Sequence, residues 1–166
     1  MLILGRRVDH HGSADGELAL PFEQRQKSRL RTRLSSGEEV GVFLDRGTIL
    51  RGGDCLQGDD GRVVRVVAAE ERLMAVRATN ARLLARAAYH LGNRHTPVEV
   101  RENELAFAAD HVLGEMLRGM GLQVEEVTAP FEPEAGAYAA GHHAHSADAK
   151  HAGVIHDFAQ RASKPR

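Results

Sequence analysis

The sequence predicts an α+β protein with an all-β first part and a mixed second part, and three observations carry that prediction. Residues 1 to about 70 hold many short apolar stretches separated by turn residues, with no helical period. From residue 71 the segments follow the order β-α-β-β-α-β, the split-βαβ or ferredoxin-like arrangement. After residue 134 periodicity stops and Ala, Gly and His dominate. The expected division is a small N-terminal β-barrel or sandwich over 1–70, a ferredoxin-like domain over 71–134 and a flexible histidine-containing tail over 135–166.

Within the first part, Leu2-Ile3-Leu4 starts a strand and Asp9 to Gly16 reads as a loop carrying His10 and His11. Leu18, Leu20 and Phe22 alternate with Ala19 and Pro21 as a short half-buried strand that Pro21 confines to an edge or an end. From Gln24 to Arg33, the cations Arg25, Lys27, Arg29, Arg31 and Arg33 occupy alternate positions. An extended chain would put them on one solvated face, with Leu30 and Leu34 opposite. Val40, Val42 and Leu44 form another strand, after which Asp45-Arg46-Gly47 turns into Thr48-Ile49-Leu50. Asp59-Asp60-Gly61 is a tight hairpin signal before the buried strand Val63 to Val67.

In the second part, Leu73 to Val76 reads as a strand and Thr79 as the N-cap of a helix to about Leu91. Leu83, Leu84, Ala87, Ala88 and Leu91 share its apolar face, with Arg82 and Arg86 opposite. Pro97 to Arg101 and Glu104 to Ala108 form an antiparallel pair around the turn Glu102-Asn103. Asp110 caps a helix with Val112, Leu113, Met116, Leu117 and Met120 at helical spacing, ending at Gly121. Leu122 to Val127 is the last strand.

Composition narrows the function. The 22 basic and 23 acidic residues give a formal net charge of −1, which argues against a general nucleic-acid binder needing a basic face. Aromatic residues are 4% with no Trp, so base-stacking platforms are absent too. The N-terminal Met1 to Arg7 lacks the charged-then-apolar order of a signal peptide, and no run approaches the ~18–20 apolar residues of a membrane helix. Cys55 is the only cysteine, so no internal disulfide or Cys-rich zinc site can form. An intracellular soluble protein is the expectation.

The compositional excess is histidine. His95 lies in His90-Leu91-Gly92-Asn93-Arg94-His95-Thr96-Pro97, where Gly92 signals a helix end and Pro97 prevents its resumption. Rigid neighbours thus hold an imidazole that points away from its own helix. His142, His143, His145, His151 and His156 follow near the end of the chain and can be brought to it. Their interrupted spacing is unlike an unbroken purification tag. Imidazole without thiolate suits Ni²⁺, Cu²⁺ or Zn²⁺ rather than Cu(I). His111, at a helix start, reads equally as a ligand or an exposed first-turn residue. His90 reads as a packed or hydrogen-bonded residue, and His10 and His11 lack further ligands in their segment.

Several segments together resemble the urease accessory protein E family of nickel metallochaperones. They are Phe22-Glu23-Gln24-Arg25-Gln26-Lys27-Ser28-Arg29, Arg46-Gly47-Thr48, Tyr89 to Pro97, Asp110-His111-Val112-Leu113, Pro130 to Tyr138 and the histidine-bearing tail. The resemblance implies a cytoplasmic homodimer, not an enzyme, that carries Ni²⁺ for assembly of the urease active site. It implies a first domain like the peptide-binding domain of an Hsp40-type co-chaperone and a ferredoxin-like domain that dimerises. It makes His95 the metal ligand at the dimer interface. The implied partners are the urease accessory GTPase (protein G) and the urease apoprotein activation complex, with no nucleic acid and no membrane. His111 falls where some members have an auxiliary ligand, but a second auxiliary histidine two residues earlier is Ala109 here. Members differ in tail histidines, so the resemblance does not select among the five here.

Three other functions compete. A metal-dependent hydrolase needs three ligands on rigid elements with an open position and a nearby acid or base. An RNA-binding module of the same element order stacks bases on central-strand aromatics, where this chain offers only Phe107. A nickel or zinc store without a delivery role fits the histidines as well as a carrier does.

Overall fold

Alternation of apolar and polar residues sets the N-terminal sheet. The computed structural model describes residues 1–135. Its first sheet contains β1 (Leu2–Val8), β2 (Gly16–Leu20), β3 (Arg29–Arg33), β4 (Glu39–Phe43), β5 (Cys55–Gly58) and β6 (Val63–Ala68). Their order is β2-β6-β5-β1-β4-β3, with β1 parallel to β4 and β2 parallel to β6. In β2 Leu18 and Leu20 point inward while Glu17 and Ala19 face solvent, and in β6 Val64 and Val66 are the inward pair. These four join Leu2, Leu4, Val40, Val42, Leu50 and Leu56 in one core. Just beyond β3, the Ser35 N–H donates to the Glu17 carbonyl in β2 at 2.8 Å, so the sheet curls into a nearly closed barrel. The expected Asp59-Asp60-Gly61 turn joins β5 to β6, with Gly61 at φ 89°.

Two expectations for this part need correction. Phe22 is not in a strand: after β2, Pro21 starts a short helix, α1 (Phe22–Arg25), whose Gln24 and Arg25 N–H groups donate to the Pro21 carbonyl. Nor does the basic run form one solvated face, because β3 begins only at Arg29 and Arg25 is completely buried. After the turn at Gly47, Thr48 to Leu50 run without regular structure, with Leu50 buried and its N–H donating to the Arg25 carbonyl.

The second sheet has the order β10-β7-β9-β8, with every neighbour antiparallel. Its strands are β7 (Glu70–Arg77), β8 (Glu99–Val100), β9 (Glu104–Ala108) and β10 (Gln123–Pro130). Between them run α2 (Ala81–Gly92) and α3 (His111–Gly119), in the order β-α-β-β-α-β. β8 is shorter than the expected Pro97–Arg101 strand, while β9 has the expected span. The cap of α2 is Asn80 rather than Thr79, with Asn80 Oδ1 accepting from the Leu83 N–H at 2.9 Å. Asp110 caps α3 as expected, accepting from the Leu113 N–H at 2.9 Å.

The period of two divides this sheet's buried residues between its faces. Met74, Val76, Leu105, Phe107 and Val124 pack with Ala87, Leu91 and Leu117 of the helices. Leu73 and Ala106, on the opposite face, pack with Phe22 of α1 and with Phe131. The Phe22 and Phe131 rings meet edge to face with centroids 5.6 Å apart.

Candidate metal centre

The centre is built on the way α2 stops. Beyond the helix, the His95 N–H donates to the Gly92 carbonyl at 2.9 Å and the Thr96 N–H to the Leu91 carbonyl at 3.3 Å. These nested bonds are a Schellman cap, whose pivotal residue adopts the left-handed conformation and is usually glycine. Here the pivot is His95, at φ 54°, the one non-glycine residue with positive φ among the described residues. Gly92, read from sequence as the stop, sits inside the last helical turn with an ordinary φ. The cap leaves the His95 side chain exposed. Arg94 closes the turn from outside, donating from Nη1 to the His90 carbonyl at 2.8 Å.

Strand register puts His111 at the same end of the sheet. β8 begins at Glu99, which pairs with Ala106, so the chain leading back to His95 runs towards the Ala108 end of β9. Past Ala108, His111 opens α3, exposed beside Val112. Tyr89, Val100 and Val112 are exposed large apolar residues, at 66%, 53% and 74% of their full areas. His90 is half-buried against Tyr89, their rings edge to face at 5.5 Å, as a packed histidine should be. His10 has its Nε2 at 3.0 Å from the Ser13 carbonyl. Among the described residues no three His, Cys, Asp or Glu side chains converge into a metal site, so one chain's rigid part offers His95 and His111 without a complete ligand set. His142, His143, His145, His151 and His156 lie outside the described residues.

The far limb of the His95 turn is tied to the segment that follows β10. Glu134 N–H donates to the Val98 carbonyl at 2.8 Å, and Glu132 N–H to Glu99 Oε2 at 2.9 Å. Glu99 also accepts from Arg101 Nε at 2.8 Å. Burial pushes the Glu99 carboxyl up, but Arg101 and the Glu132 N–H outweigh it and hold the group below the usual carboxylate range. From the other side, Glu132 accepts from Arg25 at 2.8 Å, Arg51 at 3.1 Å and the Gly52 N–H at 2.7 Å. Arg25 donates further to the Leu20, Leu50 and Phe131 carbonyls. The sequence reading missed this anchor. A buried arginine looks like a solvated one until its acceptors are known.

The comparisons with known proteins agree with this arrangement of two sheets. A family model described as the N-terminal domain of the UreE urease accessory protein matches residues 3–69, and one for its C-terminal domain matches residues 71–159. The chain belongs to the UreE family. A urease accessory protein UreE from Nitrosospira multiformis is 53% identical over 145 residues, covering 87% of this chain and 82% of that protein. One from Alkalilimnicola ehrlichii is 55% identical over 138 residues, covering 83% and 85%. One from Pseudomonas putida strain W619 is 51% identical over 144 residues, covering 86% and 89%. The UreE C-terminal model spans the His95 turn and His111 and continues through His156. Among the described residues no helix is long and apolar enough to cross a membrane.

Proposed function

We propose that this chain is a nickel metallochaperone that works as a cytoplasmic homodimer and delivers Ni²⁺ for assembly of the urease active site. The observation that carries the reading is His95 at the left-handed pivot of an exposed helix cap. That position favours glycine, and a histidine there costs backbone energy that no side-chain hydrogen bond among the described residues returns. The side chain therefore serves something beyond the described fold. Membership of a family of urease accessory proteins supplies the context, and an all-imidazole set without thiolate suits Ni²⁺, with Zn²⁺ or Cu²⁺ able to compete.

A single imidazole is far short of a shell. A two-fold axis near the turn brings a second His95 from the same patch, since an isologous interface repeats every contact. Exposed Tyr89 and Val112 supply the apolar area such an interface buries. His111 is the auxiliary candidate at the same end of the sheet. His142, His143, His145, His151 and His156 complete the shell and leave again. His142 follows Glu134 by 8 residues, a reach of at most roughly 28 Å in extended chain. We read the domains as 1–70, resembling an Hsp40-type peptide-binding domain, 71–134, ferredoxin-like, and 135–166, the histidine tail. The strand order β10-β7-β9-β8 supports the second assignment. The recipient is the urease accessory GTPase within the urease activation complex, and the chain itself catalyses nothing.

Nickel titration combined with mass determination of the intact complex tests this. The expected result is one tight ion per dimer, lost in His95→Ala while the dimer and its helix content persist. An unchanged tight ion in His95→Ala would overturn the shared site.

A further inference from the structure

The exposed flank of α2 has a charge pattern that the metal reading does not use. Arg82, Arg86, His90 and Arg94 recur every four residues, which places them in one row along the helix and its cap. All three arginines are exposed, and α2 contains no acidic residue. Many arginines elsewhere are answered: Arg62 by Glu38 and Asp60, Arg77 by Glu104 and Glu125, Arg101 by Glu99 and Glu104, Arg118 by Glu115. Arg6, Arg29, Arg46 and Arg65 are scattered and, like the α2 row, have no carboxylate partner among the described residues. Among the described residues no carboxylate lies within ion-pair distance of Arg82, Arg86 or Arg94. At the start of the row, Asn80, Arg82, Leu83 and Arg86 line a shallow recess. At its end comes His95. The row is about 18 Å long, at 1.5 Å per residue.

We propose that this basic row is a docking face for an acidic protein surface, the carboxylate-rich face of the protein that receives the metal. The proposal rests on the metal-carrier reading above and adds the partner's chemistry and its seat. A site that accepts a divalent cation gathers carboxylates, imidazoles or thiolates, so the surface around it is electronegative. Three guanidiniums in a row leading to the metal turn, with no carboxylate partner among the described residues, draw such a surface in and orient it with its ligands beside His95. The same positive charge disfavours a dication at His95 once docking excludes water, which favours release towards the acidic side. A protein suits the row better than nucleic acid does. Three cations replace few phosphate counterions, and the chain's net charge is −1.

The test uses the nickel-loaded full chain and poly-L-glutamate as the probe, at low and at physiological salt. Arg82→Glu/Arg86→Glu is compared with Arg29→Glu/Arg46→Glu, which makes the same change in charge at exposed positions of the N-terminal part. The expected outcome is binding weakened about tenfold or more by the α2 pair and less than about twofold by the control pair. Added polyglutamate should also speed nickel loss to a chelator in the wild type and not in the α2 variant. Equal weakening by both pairs, no binding by the wild type, tighter binding to duplex DNA than to polyglutamate, or loss of the dimer in the α2 variant would each overturn the docking face. The carrier reading is tested separately by His95→Ala. Its failure leaves the α2 result standing, whereas a variant that binds nickel normally with unchanged polyglutamate affinity removes the docking face alone.

Discussion

The two long helices end in the same way with different residues. At the end of α3, Gly121 N–H donates to the Arg118 carbonyl at 2.9 Å and Leu122 N–H to the Leu117 carbonyl at 3.2 Å. At the end of α2, the equivalent bonds run from His95 to Gly92 at 2.9 Å and from Thr96 to Leu91 at 3.3 Å. The pivots have φ 87° at Gly121 and 54° at His95. One cap carries the residue that costs least in that conformation; the other carries an imidazole. Since both helices stop equally well, stopping the helix does not explain the histidine. The difference separates a position chosen for stability from one chosen for what its side chain can reach.

Arg25 is the extreme of the first kind, and its removal should have the largest effect. Four of its five N–H donors go to three backbone carbonyls and Glu132, and the side chain is 0% exposed. Replacing it with Met leaves those carbonyls and the Glu132 carboxylate short of a partner, at a cost of about 3–5 kcal/mol. Denaturant unfolding of Arg25→Met in the metal-free state checks this. A loss below about 1 kcal/mol would mean that the anchor matters little.

Gly121→Ala comes next, at about 1–2 kcal/mol, because a Cβ there meets no atom within 4 Å and the whole cost is backbone conformation. If Gly121→Ala proved neutral in a thermal melt, the left-handed pivot would be no burden and the inference from His95 would lose its footing.

Much of this contrast was legible in the sequence, and the part that was not has a physical cause. Asp110 and Gly121 mark both ends of α3 by local chemistry, because a cap and a pivot act on neighbouring backbone. The span of β9 and the hairpin at Gly61 were readable for the same reason. His95 was readable as a held turn between Gly92 and Pro97, but its left-handed φ was not. Glycine is the ordinary stop signal, and here it lies three residues before the pivot. Arg25 was misread because its acceptors lie up to 107 residues away, and only the folded chain brings Phe131 and Glu132 to it. Alternating cations in a sequence carry no mark of which one is enclosed.

Acid should weaken the anchor more gently than mutation does. Burial pushes the Glu132 carboxyl up, but the Gly52 N–H, Arg51 and Arg25 outweigh it and leave the group below the usual range. A carboxylate with a folded pKa lower than its unfolded one adds stability that is fully present above the unfolded value and lost as pH falls through the folded one. The metal-free protein should therefore lose stability below about pH 4.5, the ordinary glutamate range. Glu132→Gln should flatten that loss. Parallel pH profiles for wild type and Glu132→Gln would show that Glu132 is not the group responsible.

The smallest change in stability should come from His95→Gly, and it bears most directly on the two helix ends. Glycine relieves the left-handed strain at the pivot, and the extra freedom it gives the unfolded chain offsets part of that gain. The metal-free variant should come out more stable than wild type by about 0.5–1 kcal/mol. His95→Ala keeps the strain and should not gain. Both variants should lose the tight nickel ion, since both remove the imidazole. The pair therefore separates two quantities that any single substitution confounds: the strain at the pivot, read by thermal melts without metal, and the ligand, read by nickel titration. If His95→Gly gained nothing over His95→Ala, the α2 cap would hold its histidine without cost, and conformation would no longer argue for a function outside the fold. If glycine stabilised the cap while nickel binding survived, the strain would be real but its purpose would not be this metal.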